Sequence, residues 1–278
     1  MSLQLSWRLI KETIAGWSKD RVSTLAAALA YYTIFSIGPL LIICIAIAGL
    51  VFGKEAIQTQ VLHQIENMFG SGSAKQIQTM LMHAFEPTTS LLAQIIGIII
   101  LLFGAAGVFS ELQNGLNKIW HVEARAAKGW LGMIKDRFWS FTMVLGIGFL
   151  LLVSLLLTVL LTAMSDFLSQ FLPGGALLGL MLNFLISLGG ITVLFAMIFK
   201  ILPNVDLRWR DVWLGAFITT LLFTVGKFLL GIYLGSSNID NGFGAAASLI
   251  IMLIWVYYSA QILFLGAEFT KAYVNRKH

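Results

Sequence analysis

The chain has 278 residues, of which 58% are hydrophobic and only 11% are charged. Soluble domains carry about 25% charged residues, so this composition excludes an ordinary soluble globular protein and indicates a membrane protein. The single cysteine excludes a disulfide framework and a cysteine metal site.

Residues 1–21 are predicted to form an amphipathic helix in the membrane interface. Large apolar residues recur there at helical spacing: Trp7, Ile10, Ile14 and Trp17. The first predicted span follows as an uncharged run from Leu25 to Phe52. This run contains Gly38-Pro39, and a proline inside a helix removes a backbone hydrogen bond and kinks the helix.

The segment 53–88 is too polar to cross a membrane, and its apolar spacing predicts two short amphipathic helices on the outer membrane surface. Residues 111–137 form a basic, tryptophan-bearing connection on the cytoplasmic side. Five further apolar runs predict spans: Thr89–Ser110, Phe138–Met164, Ala176–Phe199, Val212–Leu234 and Ala245–Ala267. The sequence therefore predicts an all-α, polytopic membrane bundle with six transmembrane helices plus interfacial amphipathic helices, forming a single domain over residues 1–278.

The basic residues are distributed very unevenly between the two sides of this topology. Fifteen of the eighteen Lys and Arg residues lie in the N-terminal segment, the loops 111–137 and 200–211, and the C-terminal tail. Only Lys54 and Lys75 lie on the opposite side. The positive-inside rule then predicts that both termini are cytoplasmic. This asymmetry accounts for the net charge of +5 without a nucleic-acid-binding surface.

Four stretches of the sequence together resemble a known family. They read AAALAYYTIFSIGPLL, GVFSELQNGLNKIWHV, ILPNVDLRWRDVWLGA and GFGAAASLIIMLIWVYYSAQILFLGAEFTKAY. In this order they resemble the YihY/virulence factor BrkB family of bacterial inner-membrane proteins, once labelled ribonuclease BN, over about residues 5–273. The resemblance implies a six-span inner-membrane protein with both ends in the cytoplasm. It also implies a connection with serum resistance and with envelope lipid or lipopolysaccharide traffic.

The residues do not support an enzyme. Metal-dependent hydrolysis requires clustered histidines and carboxylates, whereas the four histidines are widely separated in the chain: His63, His83, His121 and His278. The sequence contains neither an H-E-x-x-H motif nor a phosphate-binding G-K-[ST] loop. We therefore expect no catalytic residues, no cofactor and no metal site.

Polar residues inside the spans are functional candidates because they are costly in lipid. At about 1.5 Å per residue, several of them fall near one level in the outer half of the membrane. We expect them to line a polar cavity in which Lys227 attracts an anionic group. The alternative is that Lys227 reaches the outer interface, or pairs with Asp240 or Asp166. The candidates are Tyr32, Ser36, Pro39, Gln94, Asn183 and Lys227.

A second polar group is predicted at the cytoplasmic level. Glu268 lies near the inner end of the sixth span, with Gln261 on the same helical face. Its partners are expected among four cations: Arg208, Arg210, Lys271 and Lys200. The pairing is interpreted as a structural ion pair, with proton coupling as the alternative.

Gln113 and Asn117 follow the second span and share a helical face. They are expected to cap helix ends or bond to neighbouring loops, or alternatively to line an inner vestibule.

These features predict a transporter-like protein that moves or hands over an amphiphilic anionic molecule. The more specific expectation of a phospholipid or lipopolysaccharide precursor rests on the family resemblance. The alternative is a non-transporting scaffold that docks envelope partner proteins through outer helices 54–86. Membrane lipids are the expected partners, and nucleic acid is not.

Overall fold

The structure is a computed structural model that describes residues 3–69, 71–84, 107–122, 175–236 and 247–276. Within these ranges every regular element is an α-helix, so the all-α prediction is confirmed. The helices of the described ranges are α1 Leu3–Lys19, α2 Val22–Phe52, α3 Lys54–Phe69, α4 Ser71–Ala84, α5 (residues 107–119), α6 Gly175–Ile201, α7 Trp209–Ser236 and α8 Ala247–Asn275.

Three of the described helices contain segments long and apolar enough to cross a membrane. These segments are Val22–Ile43 in α2, Trp209–Tyr233 in α7 and Leu249–Asn275 in α8. A shorter apolar stretch, Ser187–Ile201, lies in α6. Large apolar side chains on α7 are exposed, with Phe228 at 69%, which suits a helix surrounded by lipid. These helices confirm the predicted helical membrane bundle.

The number of spans stays a prediction. The third predicted span, Phe138–Met164, lies outside the described residues, as does most of the second, Thr89–Ser110. Where the predicted and observed elements overlap, the helices are longer than the apolar runs, and α8 continues past Ala267 to Asn275. An apolar run marks the length that lipid can surround, whereas backbone hydrogen bonding continues wherever the polar residues find protein or water around them.

By its internal contacts the chain divides into two compact units. The first comprises Met1–Asp20, Leu116–Phe223 and Leu265–His278. Its buried side chains come from α1, α5, α6, α7 and α8 and include Leu9, Leu116, Ile119, Phe199, Val212 and Ala267.

Within the first unit, α7 and α8 cross in close contact. A Cβ added at Gly215 would overlap the Thr270 side chain, and one added at Gly266 would overlap Thr219. Each threonine hydroxyl donates to the carbonyl of the glycine four residues earlier on its own helix, at 2.6 Å for Thr219 and 2.7 Å for Thr270. Small residues at such a crossing let two helix backbones approach closely, so this contact fixes the C-terminal part of α8 against α7.

The second unit comprises Arg21–Gly115 and Thr224–Phe264. In it α3 packs against both α2 and α4, and the apolar faces of the two short helices are buried: Ile57, Ile65, Ile77 and Leu81. Pro39 lies inside α2, where it cannot donate a hydrogen bond to the carbonyl of Phe35. The Met80 side chain of α4 lies beside the neighbouring Gly38, 3.6 Å from where a Cβ would be.

Candidate functional site

The junction between α1 and α2 brings an aspartate into the first unit's interior. The Asp20 backbone N–H donates to the Gly16 carbonyl at 2.8 Å and completes the last turn of α1. Arg21 then takes a left-handed conformation with φ 53°, and Thr24 N–H donates to its carbonyl as α2 begins. The Asp20 residue is left only 7% exposed.

The C-terminus of α5 supplies a histidine through an unusual backbone conformation. Val122 N–H donates to the Asn117 carbonyl at 2.9 Å, and His121 N–H donates to the Lys118 carbonyl at 3.1 Å. This pair of bonds is a Schellman motif, in which glycine usually occupies the left-handed position. Here His121 occupies it with φ 51°, although a left-handed conformation costs a residue with a Cβ about 1–2 kcal/mol.

Asp20 is held by two cationic or hydrogen-bonding groups. His121 Nε2 lies 3.0 Å from Asp20 Oδ1, and Lys271 Nζ donates to Asp20 Oδ2 at 3.2 Å. The same Lys271 Nζ lies 3.3 Å from His121 Nε2. The three side chains thus form a closed triangle contributed by the end of α1, the end of α5 and α8.

Glu268 of α8 adds a second carboxyl to this triangle. It is 2% exposed, and a Cβ added at Gly16 would overlap its Oε2 atom. Its Oε1 atom is buried and makes no hydrogen bond with the described residues. The charged groups that act on it are Asp20, Lys271 and Lys19. We call Asp20, His121, Glu268 and Lys271 the Asp20 cluster.

The pKa of Asp20 lies below its ordinary value. Burial alone would raise this pKa, but hydrogen bonds with His121, Glu268 and Lys271, together with the Lys271 charge, outweigh burial and lower it. Asp20 is therefore the anionic centre of the cluster at neutral pH. In the described part of the chain, no group of histidine, cysteine and carboxylate residues is arranged to hold a metal ion. The positive charge beside Asp20 comes instead from Lys271.

A separate, exposed ion pair also joins α1 to the C-terminal segment. Arg276 Nε donates to Glu12 Oε2 at 2.8 Å, and Arg276 Nη2 contacts Glu12 Oε1. This hydrogen bond raises the pKa of Arg276. The Glu12–Arg276 pair therefore connects the same two regions as the Asp20 cluster, but in contact with solvent.

The first unit also carries an open groove between α6 and α7, with a volume of about 700 Å³. Its wall is apolar and partly aromatic, and Arg210 is the one charged residue among the described residues that line it. A Cβ added at Gly189 would meet no atom within 4 Å, so this glycine leaves free space in the wall. We call this feature the α6–α7 groove, lined by Leu185, Leu188, Gly189, Thr192, Val193, Arg210, Trp213, Leu214 and Phe217.

Five of the six residues predicted to line a cavity lie on the described helices α2, α6 and α7. On α2, Tyr32 is exposed and Ser36 is buried. Both side chains lie close to the position that a Cβ at Gly107 would occupy. Lys227 is exposed on α7. The other three are Pro39 inside α2, Asn183 in α6, whose side chain is not among the described ones, and Gln94, which lies outside the described residues. None of the five within the described part of the chain is among the residues that line the α6–α7 groove.

The residues predicted for the inner polar group lie on α5, α7 and α8 and directly before α7. Of the four cations named as partners for Glu268, Lys271 belongs to the Asp20 cluster, whereas Arg208 and Arg210 are exposed at the start of α7. Asn117 Oδ1 accepts a hydrogen bond from the Asn204 backbone N–H at 2.8 Å, which is the loop contact considered for it. The remaining two, Gln113 on α5 and Gln261 on α8, are partly exposed.

Sequence reasoning did not connect Asp20, His121 or Gly16 with Glu268. Asp20 and His121 are 101 positions apart, and Asp20 and Lys271 are 251 positions apart. A local sequence pattern does not predict contacts between residues so far apart in the chain. The one local signal is the spacing of Glu268 and Lys271, which places them one helical turn apart on α8.

The helices, their apolar length and their exposed apolar surface define a multi-pass α-helical membrane protein. The comparisons with known proteins then identify its family. A family model described as "Virulence factor BrkB" matches residues 13–278. The chain therefore belongs to the virulence factor BrkB family.

Several curated relatives carry the description UPF0761 membrane protein. One from Tolumonas auensis is 31% identical over 90% of this chain and 80% of its own length. One from Alteromonas mediterranea is 27% identical over 93% of this chain and 86% of its own length. One from Albidiferax ferrireducens is 28% identical over 94% of this chain, which spans 61% of that longer relative. No solved structure matches the chain.

Proposed function

We propose that this protein is a non-enzymatic membrane transporter that binds an amphiphilic anion in the α6–α7 groove and moves it or hands it over. The observation that carries this proposal is the composition of the groove. An apolar wall suits an acyl chain, and a single cation at one end suits a phosphate or carboxylate headgroup. An envelope phospholipid or lipopolysaccharide precursor has both parts.

The position of Arg210 supports an interfacial headgroup site. Arg210 is the second residue of α7 and of its membrane-spanning segment, so it lies at the end of a span, where anionic headgroups are found. Trp213 lies one turn further on in the same groove, and tryptophan is favoured at that level of a membrane. Lys227, also exposed, follows later in α7 and provides a second cation for an anion that moves along this helix.

The proposed setting is the bacterial inner membrane with both termini in the cytoplasm. The distribution of Lys and Arg supports this orientation. In this orientation the Arg210 end of the groove faces the cytoplasmic leaflet. Membrane lipids are then the partners of the protein, and the groove accepts its ligand from that leaflet.

The proposal is tested by measuring lipid exchange between the leaflets of reconstituted vesicles. The probe is a fluorescent phosphatidylglycerol in phosphatidylcholine vesicles, with empty vesicles as the baseline. Wild-type protein is expected to raise the exchange rate above this baseline. Gly189→Phe should return the rate to the baseline because the new ring fills the free space in the groove wall.

Gly231→Phe is the matched control for this variant. Gly231 also lies in an apolar helix, and a Cβ there would likewise meet no atom within 4 Å. It does not line the groove, so its variant should exchange lipid like the wild type. Baseline exchange by the folded wild-type protein, or normal exchange by Gly189→Phe, would contradict the proposal.

The scaffold alternative rests on a smaller observation. Met80 and Met82 of α4 are exposed although the same helix buries Ile77 and Leu81, and flexible methionine side chains suit protein contacts. This alternative would be favoured if the wild-type protein exchanged lipid only at the baseline rate and bound a partner protein that the Met82→Ser variant does not bind.

A further inference from the structure

We propose that the Glu268 carboxyl is a proton-binding site that exchanges protons with solvent through His121 and Asp20. This site is independent of the α6–α7 groove and of what the groove binds. It requires an entry point in solvent, an intermediate carrier and a buried acceptor. The Asp20 cluster contains these three groups in contact.

Exposure falls along the proposed path. The His121 side chain is 50% exposed and is the entry point. Asp20 is in contact with it and is almost buried, and Glu268 is 2% exposed. The path therefore leads from water to the interior through the hydrogen bond between His121 and Asp20, and from there to the buried Glu268 carboxyl, which interacts with Asp20.

His121 Nε2 has a partner in either protonation state. With a proton on Nε2 it donates to Asp20 Oδ1 at 3.0 Å. Without this proton it can accept from Lys271 Nζ at 3.3 Å. An imidazole nitrogen can be a donor or an acceptor but not both at once. Because both partners are in place, Nε2 can lose and regain a proton without being left unpaired.

The contact between the two carboxyl groups indicates where the proton rests. Two carboxyl groups that interact with each other disfavour ionisation of both, so one of them holds the proton. Asp20 faces His121 and Lys271 and has a lowered pKa, so Asp20 is the anionic acceptor and Glu268 carries the proton. The groups facing Glu268 are Asp20 and Lys19 from the α1 segment and Lys271 from α8 itself.

The transfer needs no other reactant. Protonated His121 gives the Nε2 proton to the Asp20 carboxylate and becomes neutral. Asp20 then passes one proton to ionised Glu268 and returns to the carboxylate form. Water reprotonates His121, so the net change is one proton moved from solvent to Glu268.

Two observations indicate that this arrangement is more than an ion pair. Glu268 Oε1 is buried without a hydrogen-bond partner among the described residues, which leaves one face of the carboxyl open to a change of protonation state. In addition, His121 takes a left-handed backbone conformation, which glycine would adopt at a lower conformational free energy. Glycine would complete the helix end, but it could not make the contacts of the imidazole with Asp20 and Lys271.

The test is an infrared titration of the full-length protein in lipid nanodiscs. The wild type is expected to show the C=O stretch of a buried protonated carboxyl that disappears as the pH rises. Glu268→Gln should remove this band. Glu268→Asp should move it, and this provides a folded comparison if the glutamine variant is unstable.

The relay is tested separately by the rate of the band's response to a pH jump. His121→Asn tolerates the left-handed backbone but cannot carry the proton. It should leave the band in place and slow its response on the order of a hundredfold. Glu12→Gln, at the exposed ion pair, is the control and should change neither.

Each part of the proposal has a result that overturns it. A wild-type spectrum without the band, or a band that persists in folded Glu268→Gln, would overturn the proton site. An unchanged response rate in His121→Asn would overturn the entry path.

Discussion

The Asp20 cluster and the α6–α7 groove lie in the same compact unit, but their charged groups differ in whether they are paired inside the protein or exposed. In the cluster, the Asp20 carboxylate is paired inside the protein with Lys271 and His121, and the buried Glu268 carboxyl lies on α8 beside Gly16. In the groove, Arg210 is exposed at the end of an apolar wall.

This difference distinguishes residues that the sequence analysis assigned to one inner polar group. A closed, internally balanced cluster leaves no unbalanced charge to attract an anionic ligand, but it can hold or release a proton. A groove with an exposed cation can take an anionic amphiphile. The residues predicted as one inner polar group therefore divide between the two regions, with Glu268 in the first and Arg210 in the second.

The largest expected effect comes from leaving the Asp20 carboxylate without its cation. Lys271→Met should lower the free energy of unfolding by about 3 kcal/mol, because breaking a buried ion pair leaves the Asp20 carboxylate with the His121 contact alone. The double variant Asp20→Asn/Lys271→Met removes both charges and should recover most of this loss. Unfolding in mixed micelles measures both. Equal losses in the single and double variants would show that the pair is not the cause.

A smaller effect is expected where α1 touches Glu268. Gly16→Ala places a methyl group onto Glu268 Oε2 and should destabilise the protein by about 1–3 kcal/mol. Gly231→Ala, which meets no atom within 4 Å, should instead be neutral or stabilising because alanine favours the helix. The same unfolding measurement compares them, and a neutral Gly16→Ala would contradict the described contact.

The pH dependence of stability should follow from the lowered pKa of Asp20. Because its folded-state pKa lies below the ordinary aspartate value of about 3.9, the unfolded chain binds the proton more readily. The Asp20 contribution is therefore complete above that ordinary value and is lost as the pH falls through the folded-state pKa. Asp20→Asn should remove this acid-side decrease from unfolding curves recorded over a pH series. An identical decrease in the variant would assign it to other groups.

The smallest effect is expected at the exposed link between the same two regions. Glu12→Gln breaks the Glu12–Arg276 ion pair, which water and salt already screen. Its unfolding midpoint should match that of the wild type at physiological salt. A loss comparable to that of Lys271→Met would remove the distinction between a buried and an exposed connection.

The sequence predicts the helical membrane architecture well because that information is local. Uncharged runs such as the one in α2 identify segments that lipid can surround, and the short helices α3 and α4 occur in the segment with amphipathic spacing. The Asp20 cluster is different because its contacts join residues far apart in the chain. His121 could not be assigned to it, since a Schellman position predicts glycine and not histidine.

The close crossing of α7 and α8 illustrates the same limit. Gly215 and Thr219 on α7 correspond to Gly266 and Thr270 on α8, and both pairs have a G-x-x-x-T spacing. The spacing can be read from the sequence, but it does not state which helix meets which. Only the packed structure shows that each threonine lies against the other helix's glycine.

The central claim, that the α6–α7 groove binds an anionic amphiphile through Arg210, is tested most directly by lipid binding. Native mass spectrometry can compare retention of phosphatidylglycerol and phosphatidylcholine by the wild type, Arg210→Gln and Arg208→Gln. Arg208 is the matched control because it is an exposed neighbouring cation that does not line the groove. The account predicts a preference for phosphatidylglycerol of about fivefold, equivalent to about 1 kcal/mol, that Arg210→Gln loses and Arg208→Gln keeps. Equal retention of both lipids by the wild type, or an unchanged preference in Arg210→Gln, would contradict it.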